Sequence, residues 1–187
     1  MKPQQATCTL NGELLTCWSD GRVFHESGRQ VKVKPNKKNG YCHMTIKRSA
    51  GWDKKGYLMH RVIYYAFNPS WDITDSSQDN SIDHNDNNKS NNRLSNLRIA
   101  THSQNQYNSG AYVTSRTGIK GLSPYYSKKD DYWGWSIVIR AGGKTVYEKK
   151  RKVANGPIPD ILPDPPQDLV DLLREKQRFY HGEFFHE

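Results

Sequence analysis

The segment from residue 82 to residue 108, IDHNDNNKSNNRLSNLRIATHSQNQYN, places eight asparagines around one adjacent pair, Asp83 and His84. A neutral histidine accepts a proton near pH 7, and a hard cation such as Mg²⁺ prefers oxygen ligands. Hydrolysis of a phosphodiester uses both, because the attacking water loses a proton and the added negative charge must be stabilised. Asp83 supplies a carboxylate and Asn105 an amide oxygen, so the segment predicts metal-assisted hydrolysis.

The elements around this pair must bring these groups together. The pattern predicts a short strand at Ser81-Ile82, a loop over 85–92 and a second strand around Leu97–Ile99, followed by a helix that begins after a Thr101–Gln104 capping box. Neighbouring residues of a regular strand point to opposite faces. We therefore expect the chain to turn into the loop at Asp83-His84, so that both side chains project inward.

The run DHNDNNKSNNRLSNLRIAT, together with the upstream helix MHRVIYYAF, resembles the HNH nucleases, also called the ββα-metal or His-Me finger class. It is most similar to the HNH homing endonucleases of phages and introns, over residues 59–108. The resemblance implies that His84 is the general base and that Asp83 and Asn105 hold one divalent ion, Mg²⁺ or Mn²⁺. It also implies that Asn96 bonds across the loop and holds the strand that carries His84.

Two positions depart from the pattern of that family. Asn87 stands where the family has a glycine, and asparagine tolerates the left-handed backbone that such a position requires. Ile99 stands where a tryptophan is common. Neither position is a proposed ligand, so we expect the remaining asparagines of the loop to serve mainly as loop formers.

The charge of the chain predicts a polyanionic partner, and double-stranded DNA first. The formal net charge is +9 and the pI about 9.4; residues 1–58, 59–109, 110–153 and 154–187 carry +7, −1, +7 and −4. Two basic arms therefore flank a nearly neutral middle. The sequence shows neither a signal peptide nor an apolar run of about 20 residues, and its three cysteines form no C-x-x-C pair. We expect no membrane partner and a cytoplasmic location, in a bacterial host of a phage that encodes the chain.

The N-terminal arm, residues 1–58, reads as short strands around the turns Asp20-Gly21 and Asn39-Gly40. Val31 and Val33 alternate with lysines, which predicts a strand with one basic face. We expect this arm to follow the DNA backbone through basic side chains, namely Arg22, Lys32, Lys34, Lys37, Lys38, Lys47 and Arg48. Arg61, on the next helix, is a further candidate for a phosphate contact.

The C-terminal region, residues 110–187, reads as three strands, a proline-rich connector and a helix from about Gln167 to Tyr180. The runs KGLS and GWSIVIRAGGK resemble the Apetala-type DNA-binding domain, which lays a three-stranded sheet into the major groove. Pro124 and the missing LGxF run depart from that family. The resemblance implies DNA contacts from the outward strand face and the turns, by Lys120, Tyr125, Lys128, Lys129, Ser136, Val138, Arg140, Lys144 and Tyr147.

The sequence thus predicts an α+β protein with a small antiparallel N-terminal sheet, a central ββα-metal unit and a C-terminal three-stranded sheet packed on one helix. The predicted regions are 1–58, 59–109 and 110–187. The predicted function is site-specific cleavage of double-stranded DNA by a homing-type enzyme, which nicks one strand as a monomer. Two alternatives stay open: an HNH restriction enzyme that cuts as a homodimer, and a non-catalytic DNA-binding regulator.

Overall fold

The computed structural model describes residues 2–47, 54–77 and 79–185. The chain forms two compact units, Met1–Asn105 and Gln106–Glu187. Several small antiparallel sheets and few helices make up the fold, so the predicted α+β class is confirmed. In the described part of the chain, no helix is long and apolar enough to cross a membrane.

The first unit opens with a three-stranded antiparallel sheet, β1 (Gln5–Leu10), β2 (Glu13–Trp18) and β3 (Val23–Phe24). The turn between β1 and β2 is Asn11-Gly12, with both residues at positive φ, which is the geometry that favours this pair in tight hairpins. The predicted turn at Asp20-Gly21 connects β2 to β3.

The predicted hairpin at Asn39-Gly40 is confirmed in its turn but not in its first strand. Backbone hydrogen bonds join Asn36 to Tyr41 and to Gly40, and an isolated bridge joins Pro35 to Cys42, whereas residues 31–34 are irregular. The regular pairing is between β4 (His43–Lys47) and β5 (Lys54–Leu58). The alternation of Val31 and Val33 with lysines still separates apolar from basic side chains, because Val31 is buried while Lys32 and Lys34 are exposed.

The helix α1 (Met59–Phe67) follows β5 directly and ends at Asn68, before Pro69, as its apolar spacing predicts. A polar loop leads to a second strand pair, β6 (Ser81–His84) and β7 (Leu97–Ala100), and then to helix α2 (His102–Asn108). One hydrophobic core joins the first sheet, α1 and this pair. It includes Leu15, Cys17, Val23, Met44, Ile46, Val62, Ile63, Ile82 and Leu97.

The second unit is a three-stranded antiparallel sheet with β9 (Tyr132–Ala141) between β8 (Leu122–Ser127) and β10 (Lys144–Asn155). Helix α3 (Gln167–His181) packs on one face of this sheet, as predicted. The core between them comes from alternate β9 residues and the inner stripe of α3, namely Trp133, Trp135, Ile137, Ile139, Leu169, Val170 and Leu173.

A β-bulge interrupts the pairing of β10 with β9 between Thr145 and Tyr147. Thr145 pairs with Arg140, but Tyr147 pairs with Ile139, one residue further than a regular ladder would allow. A shift of one residue moves the following side chains to the opposite face. Tyr147 therefore lies on the helix side of the sheet, packed against the core.

Candidate active site

His84 is a buried residue at the end of β6, with 3% of its surface exposed. Its Nε2 atom lies 3.2 Å from Oδ1 of Asn92, across the loop. The rings of His60 and Tyr41 pack against it at centroid distances of 4.8 and 5.9 Å. Burial lowers the pKa of His84 below its ordinary value of 6.5, against the raising effects of the Asn92 hydrogen bond and of Asp83. The neutral, proton-accepting form is therefore favoured near pH 7.

His60 is a second buried imidazole, on the first turn of α1. Its Nδ1 atom is buried and lacks a hydrogen-bond partner among the described residues. Burial, and next the proximity of His84, lower the pKa of His60 to about 3, so this ring stays neutral. His60 thus packs against His84 as an uncharged ring.

Asp83 and His84 both belong to the regular strand, so the expected turn at this pair was wrong. Asp83 pairs with Arg98 and His84 with Leu97 across the ladder. The two side chains accordingly point to opposite faces of the strand pair. Asp83 is 3% exposed, and its Oδ2 atom accepts hydrogen bonds from Nε and Nη2 of Arg98, both at 2.9 Å.

The loop 85–92 is held by its own side chains. The carboxylate of Asp86 accepts hydrogen bonds from the side-chain amides of Asn91 and Asn96 at 2.7 and 2.8 Å, and from the backbone of Asn88. Burial alone would raise the pKa of Asp86, but these donors outweigh it and hold the pKa below its ordinary value. The clustered asparagines therefore order the loop between β6 and β7.

Asn96 bonds across this loop, as the resemblance implies. Its Oδ1 accepts from the backbone of Asp86 at 3.1 Å, its Nδ2 donates to the carbonyl of Asn91, and its own carbonyl accepts from Asn85. Asn87 has a φ of 59°, the left-handed conformation expected where the family has glycine. Its backbone N–H donates to the carbonyl of His84, which closes the turn that follows the strand.

Asn105 lies in α2, which starts with the predicted capping box. The backbone N–H of Thr101 donates to Oε1 of Gln104 at 2.8 Å, and the N–H of Gln104 donates to Oγ1 of Thr101 at 3.2 Å. Asn105 itself is half-buried, and its N–H donates to the carbonyl of Thr101. The convergence of Asn105 and Asp83 on one cation stays a prediction.

The chemistry of this donor set fits a divalent hard cation. A carboxylate and an amide both offer oxygen, and Mg²⁺ is often bound by one or two carboxylates with substrate phosphates and waters completing its shell. Within residues 2–47, 54–77 and 79–185, no three His, Cys, Asp or Glu side chains cluster as a ready-made metal cage.

The predicted DNA contacts of the first unit fall into three groups. Five lysines are exposed, as the prediction requires: Lys32, Lys34, Lys37, Lys38 and Lys47. Arg22 is partly engaged, because it pairs with Asp20 at 2.8 Å and lies over the ring of Trp18. Arg61 donates to the carbonyls of Ile73, Asp75 and Asn80 and stacks on Trp71, so the fold uses it to hold the polar loop rather than to meet phosphate. Arg48 lies outside the described residues.

Lys120, in the second unit, also differs from its predicted role. Its ammonium group contacts the carbonyls of Gln106, Tyr107 and Ser109 at the C-terminal end of α2. A cation at this end of a helix satisfies carbonyls that have no partner within the helix. The donors of Lys120 are therefore used inside the unit rather than toward DNA.

The face of the second sheet opposite α3 carries most of the other predicted contacts. Tyr125, Ser136, Val138 and Arg140 alternate onto it, although Ser136 is buried beneath its neighbours. Lys128, Lys129 and Lys144 are exposed at the turns. Tyr147 was wrongly placed on this face, because the β-bulge turns it to the helix side.

Sequence reasoning missed two lysines of this outer face, Lys150 and Lys152. Lys150 pairs with Ser136 and Lys152 with Gly134, and their ammonium groups lie over the rings of Tyr125 and Tyr132 at 5.6 and 5.0 Å. A Cβ at Gly134 would stand 2.1 Å from the carbonyl oxygen of Arg151, so only glycine fits between these two pairs. The alternation of residues along β10 would place Lys150 and Lys152 on the outer face, but only if the β-bulge between Thr145 and Tyr147 is taken into account.

One comparison with known proteins falls on these central residues. Residues 57–107 match the family model HNH_3, described as HNH endonuclease. A solved structure, on DNA binding and cleavage by the HNH homing endonuclease I-HmuI, is 26% identical with a TM-score of 0.41. That match covers 50% of each chain, so this chain overlaps about half the length of that one, and no curated protein matches it significantly. Over residues 57–107, which include β6, β7 and most of α2, the chain contains a domain similar to the HNH endonuclease family.

Proposed function

We propose that the protein is a site-specific DNA endonuclease of the homing type, which hydrolyses a phosphodiester of double-stranded DNA with one Mg²⁺ or Mn²⁺ ion. The observation that carries the proposal is the buried His84, whose pKa is lowered by that burial, within the segment that matches the HNH endonuclease family. A buried imidazole with a lowered pKa is suited to accept a proton from water at neutral pH.

The roles of the side chains follow from their chemistry. His84 takes the proton of the attacking water, and Asn96 keeps the loop closed behind it through its bonds to Asp86 and Asn91. Asp83 and Asn105 would hold the cation, which when bound supplies positive charge for the scissile phosphate and the leaving oxygen. Arg98 orients Asp83 through its two bonds to Oδ2.

The basic surfaces of the two units would bind the duplex. The exposed lysines of 32–47 are candidates for backbone contacts, which fix position but carry no sequence information. The outer face of the second sheet, through Tyr125, Arg140, Lys150 and Lys152, is the candidate for groove contact in the manner of an Apetala-type domain. The residues Lys128, Lys129 and Lys144 would then contact phosphate beside it.

One active site per chain predicts that a monomer nicks one strand. The test is cleavage of DNA by the full chain with Mg²⁺. On supercoiled plasmid, nicked and linear products are separated; on phage and host DNA, the cleavage positions are mapped. His84→Ala should bind as the wild type does and cut at least about 100-fold more slowly. His43→Ala, an exposed histidine on β4, is the matched control and should cut normally.

The alternatives give different results in the same experiment. A homodimeric restriction enzyme would yield linear product directly, and the mass of its DNA complex would contain two chains. A non-catalytic regulator would bind DNA tightly with no cleavage under any divalent ion. Unchanged cleavage by His84→Ala would contradict the proposed mechanism itself.

A further inference from the structure

We propose that Asn92 is the positioning residue of the base: its side-chain oxygen accepts a hydrogen bond from Nε2 of His84 and so determines which ring nitrogen takes the proton. The catalytic consequence rests on the function proposed above, whereas the hydrogen bond and the tautomer that it selects do not. Asn92 is neither one of the residues to which the family resemblance assigned a role nor a candidate metal ligand.

The geometry determines the direction of this hydrogen bond. Nε2 of His84 lies 3.2 Å from Oδ1 of Asn92, and both residues are buried, with 3% and 6% of their surfaces exposed. An amide oxygen only accepts, and a neutral imidazole has one N–H and one basic lone pair. The contact therefore places the hydrogen on Nε2 and leaves the lone pair on Nδ1, the position that would receive a proton from water.

The backbone of Asn92 is itself fixed from two sides. Its N–H donates to the carbonyl of Ser90 at 3.1 Å. On the other side lies Gly21, in the turn after β2, where φ is +96° and a Cβ would stand 3.2 Å from the carbonyl carbon of Asn92. The next residue but one, Leu94, donates its N–H to the carbonyl of Ser19 at 2.9 Å. The first sheet thus supports the residue that orients His84.

The rings of His60 and Tyr41 restrict the ring of His84 without selecting a tautomer. His60 meets it edge-on, at an interplanar angle of 72°, and Tyr41 packs against it at 49°. Such ring contacts limit tilt, but a hydrogen bond to a defined atom is directional. We therefore expect the loss of the Asn92 side chain to change which nitrogen of His84 is protonated.

Two substitutions at Asn92 separate an orienting role from a space-filling one. Asn92→Leu keeps the size and removes the acceptor, whereas Asn92→Asp keeps an acceptor oxygen at the price of a buried charge. We expect single-turnover cleavage by the leucine variant to be about 100-fold slower, and that by the aspartate variant to stay within about tenfold of the wild type. DNA affinity should change less than about twofold in both.

Asn91→Leu is the control for damage to the loop, since its amide contacts Asp86. It should keep at least about a third of the wild-type rate. A space-filling role reverses the order, because the apolar leucine would then be tolerated better than a buried carboxylate.

A second measurement needs neither metal nor DNA. A two-bond ¹H–¹⁵N correlation spectrum of the full chain at pH 7.5 reports the tautomer of each imidazole, and comparison with His84→Gln assigns the signal. We expect the hydrogen of His84 on Nε2 in the wild type and in Asn91→Leu, and a mixture of tautomers in Asn92→Leu.

The outcomes are separable from those of the proposed function. A wild type that cleaves no DNA defeats the nuclease proposal, while the spectrum still decides the tautomer. A wild-type spectrum with the hydrogen on Nδ1, or an Asn92→Leu rate within threefold of the wild type, overturns the inference. If the leucine variant does not fold, the tautomer in the wild-type spectrum and the cleavage rate of the aspartate variant still test the inference.

Discussion

The candidate active site in the first unit and the outer sheet face in the second place their polar groups in opposite environments. Asp83, His84 and Asn92 are each less than a tenth exposed, and each has a defined partner. Lys150 and Lys152 remain exposed over aromatic rings, and Lys150 also forms a solvent-exposed ion pair with Glu148 at 3.0 Å. Burial shifts a pKa and makes each contact specific, whereas exposure preserves charge that salt can screen. The first arrangement suits chemistry and the second suits attraction to a polyanion.

The largest expected effect comes from the buried site. Asp83→Ala removes the only carboxylate of the proposed cation pair and should lower the rate of Mg²⁺-dependent cleavage at least about a thousandfold, a loss of several kcal/mol of stabilisation. Its DNA affinity at constant salt should stay within about threefold of the wild type. Asp72→Ala, an exposed aspartate of the polar loop, is the control. More than a tenth of the wild-type rate in Asp83→Ala would show that chemistry does not depend on this group.

The second prediction concerns pH. The proton-accepting form of His84 is neutral, and the pKa of His84 is lowered from 6.5, so the midpoint of the acid limb of the single-turnover rate should lie below pH 6.5. Well below that midpoint the rate should fall by about tenfold per pH unit. Binding measured at each pH separates chemistry from affinity. A midpoint above pH 7 would mean that another group limits the rate.

The third prediction addresses the exposed face. Lys150→Ala/Lys152→Ala should weaken DNA binding about tenfold and reduce the slope of log affinity against log salt by about 1.8, roughly 0.9 for each lost phosphate contact. Cleavage at saturating DNA should not change. Lys149→Ala, on the same strand but paired with Ile137 on the helix side, is the matched control. Equal losses from the control would mean that total charge, not this face, determines affinity.

The smallest effect is expected at Tyr147, where the β-bulge decides the outcome. Tyr147→Phe should change DNA affinity less than about twofold and stability less than about 0.5 kcal/mol, since the ring remains packed on the helix side under Lys176. Fluorescence anisotropy and thermal unfolding measure both. A loss of affinity comparable to that of the double lysine variant would place Tyr147 on the DNA-facing surface.

Local patterns predicted much of the fold. The apolar spacing of α1, the capping box at Thr101 and Gln104, and the alternation along β9 each depend on residues close in sequence. The left-handed Asn87 followed from comparison with a family glycine. These features could be predicted from the sequence because the residues that cause each of them lie close together along the chain.

The rest depended on partners that are distant in sequence. β6 extends to His84 because Arg98 and Leu97 pair with its last two residues, and no local signal in the asparagine-rich segment shows this. The bulge before Tyr147 shifts the register without a glycine or proline to mark it. Asn92 was grouped with loop formers because its contact with His84 exists only in the folded chain.

The support that Gly21 and Ser19 give to Asn92 and Leu94 has a consequence for modularity. The segment that sequence similarity outlines, 57–107, stops well short of the hairpin on which it rests, and Val62 and Ile63 share their core with Leu15 and Val23. Excising that segment, or grafting it onto another protein, would remove the residues that support Asn92 beside His84. A graft that keeps the support of His84 would therefore include the first sheet as well as residues 57–107.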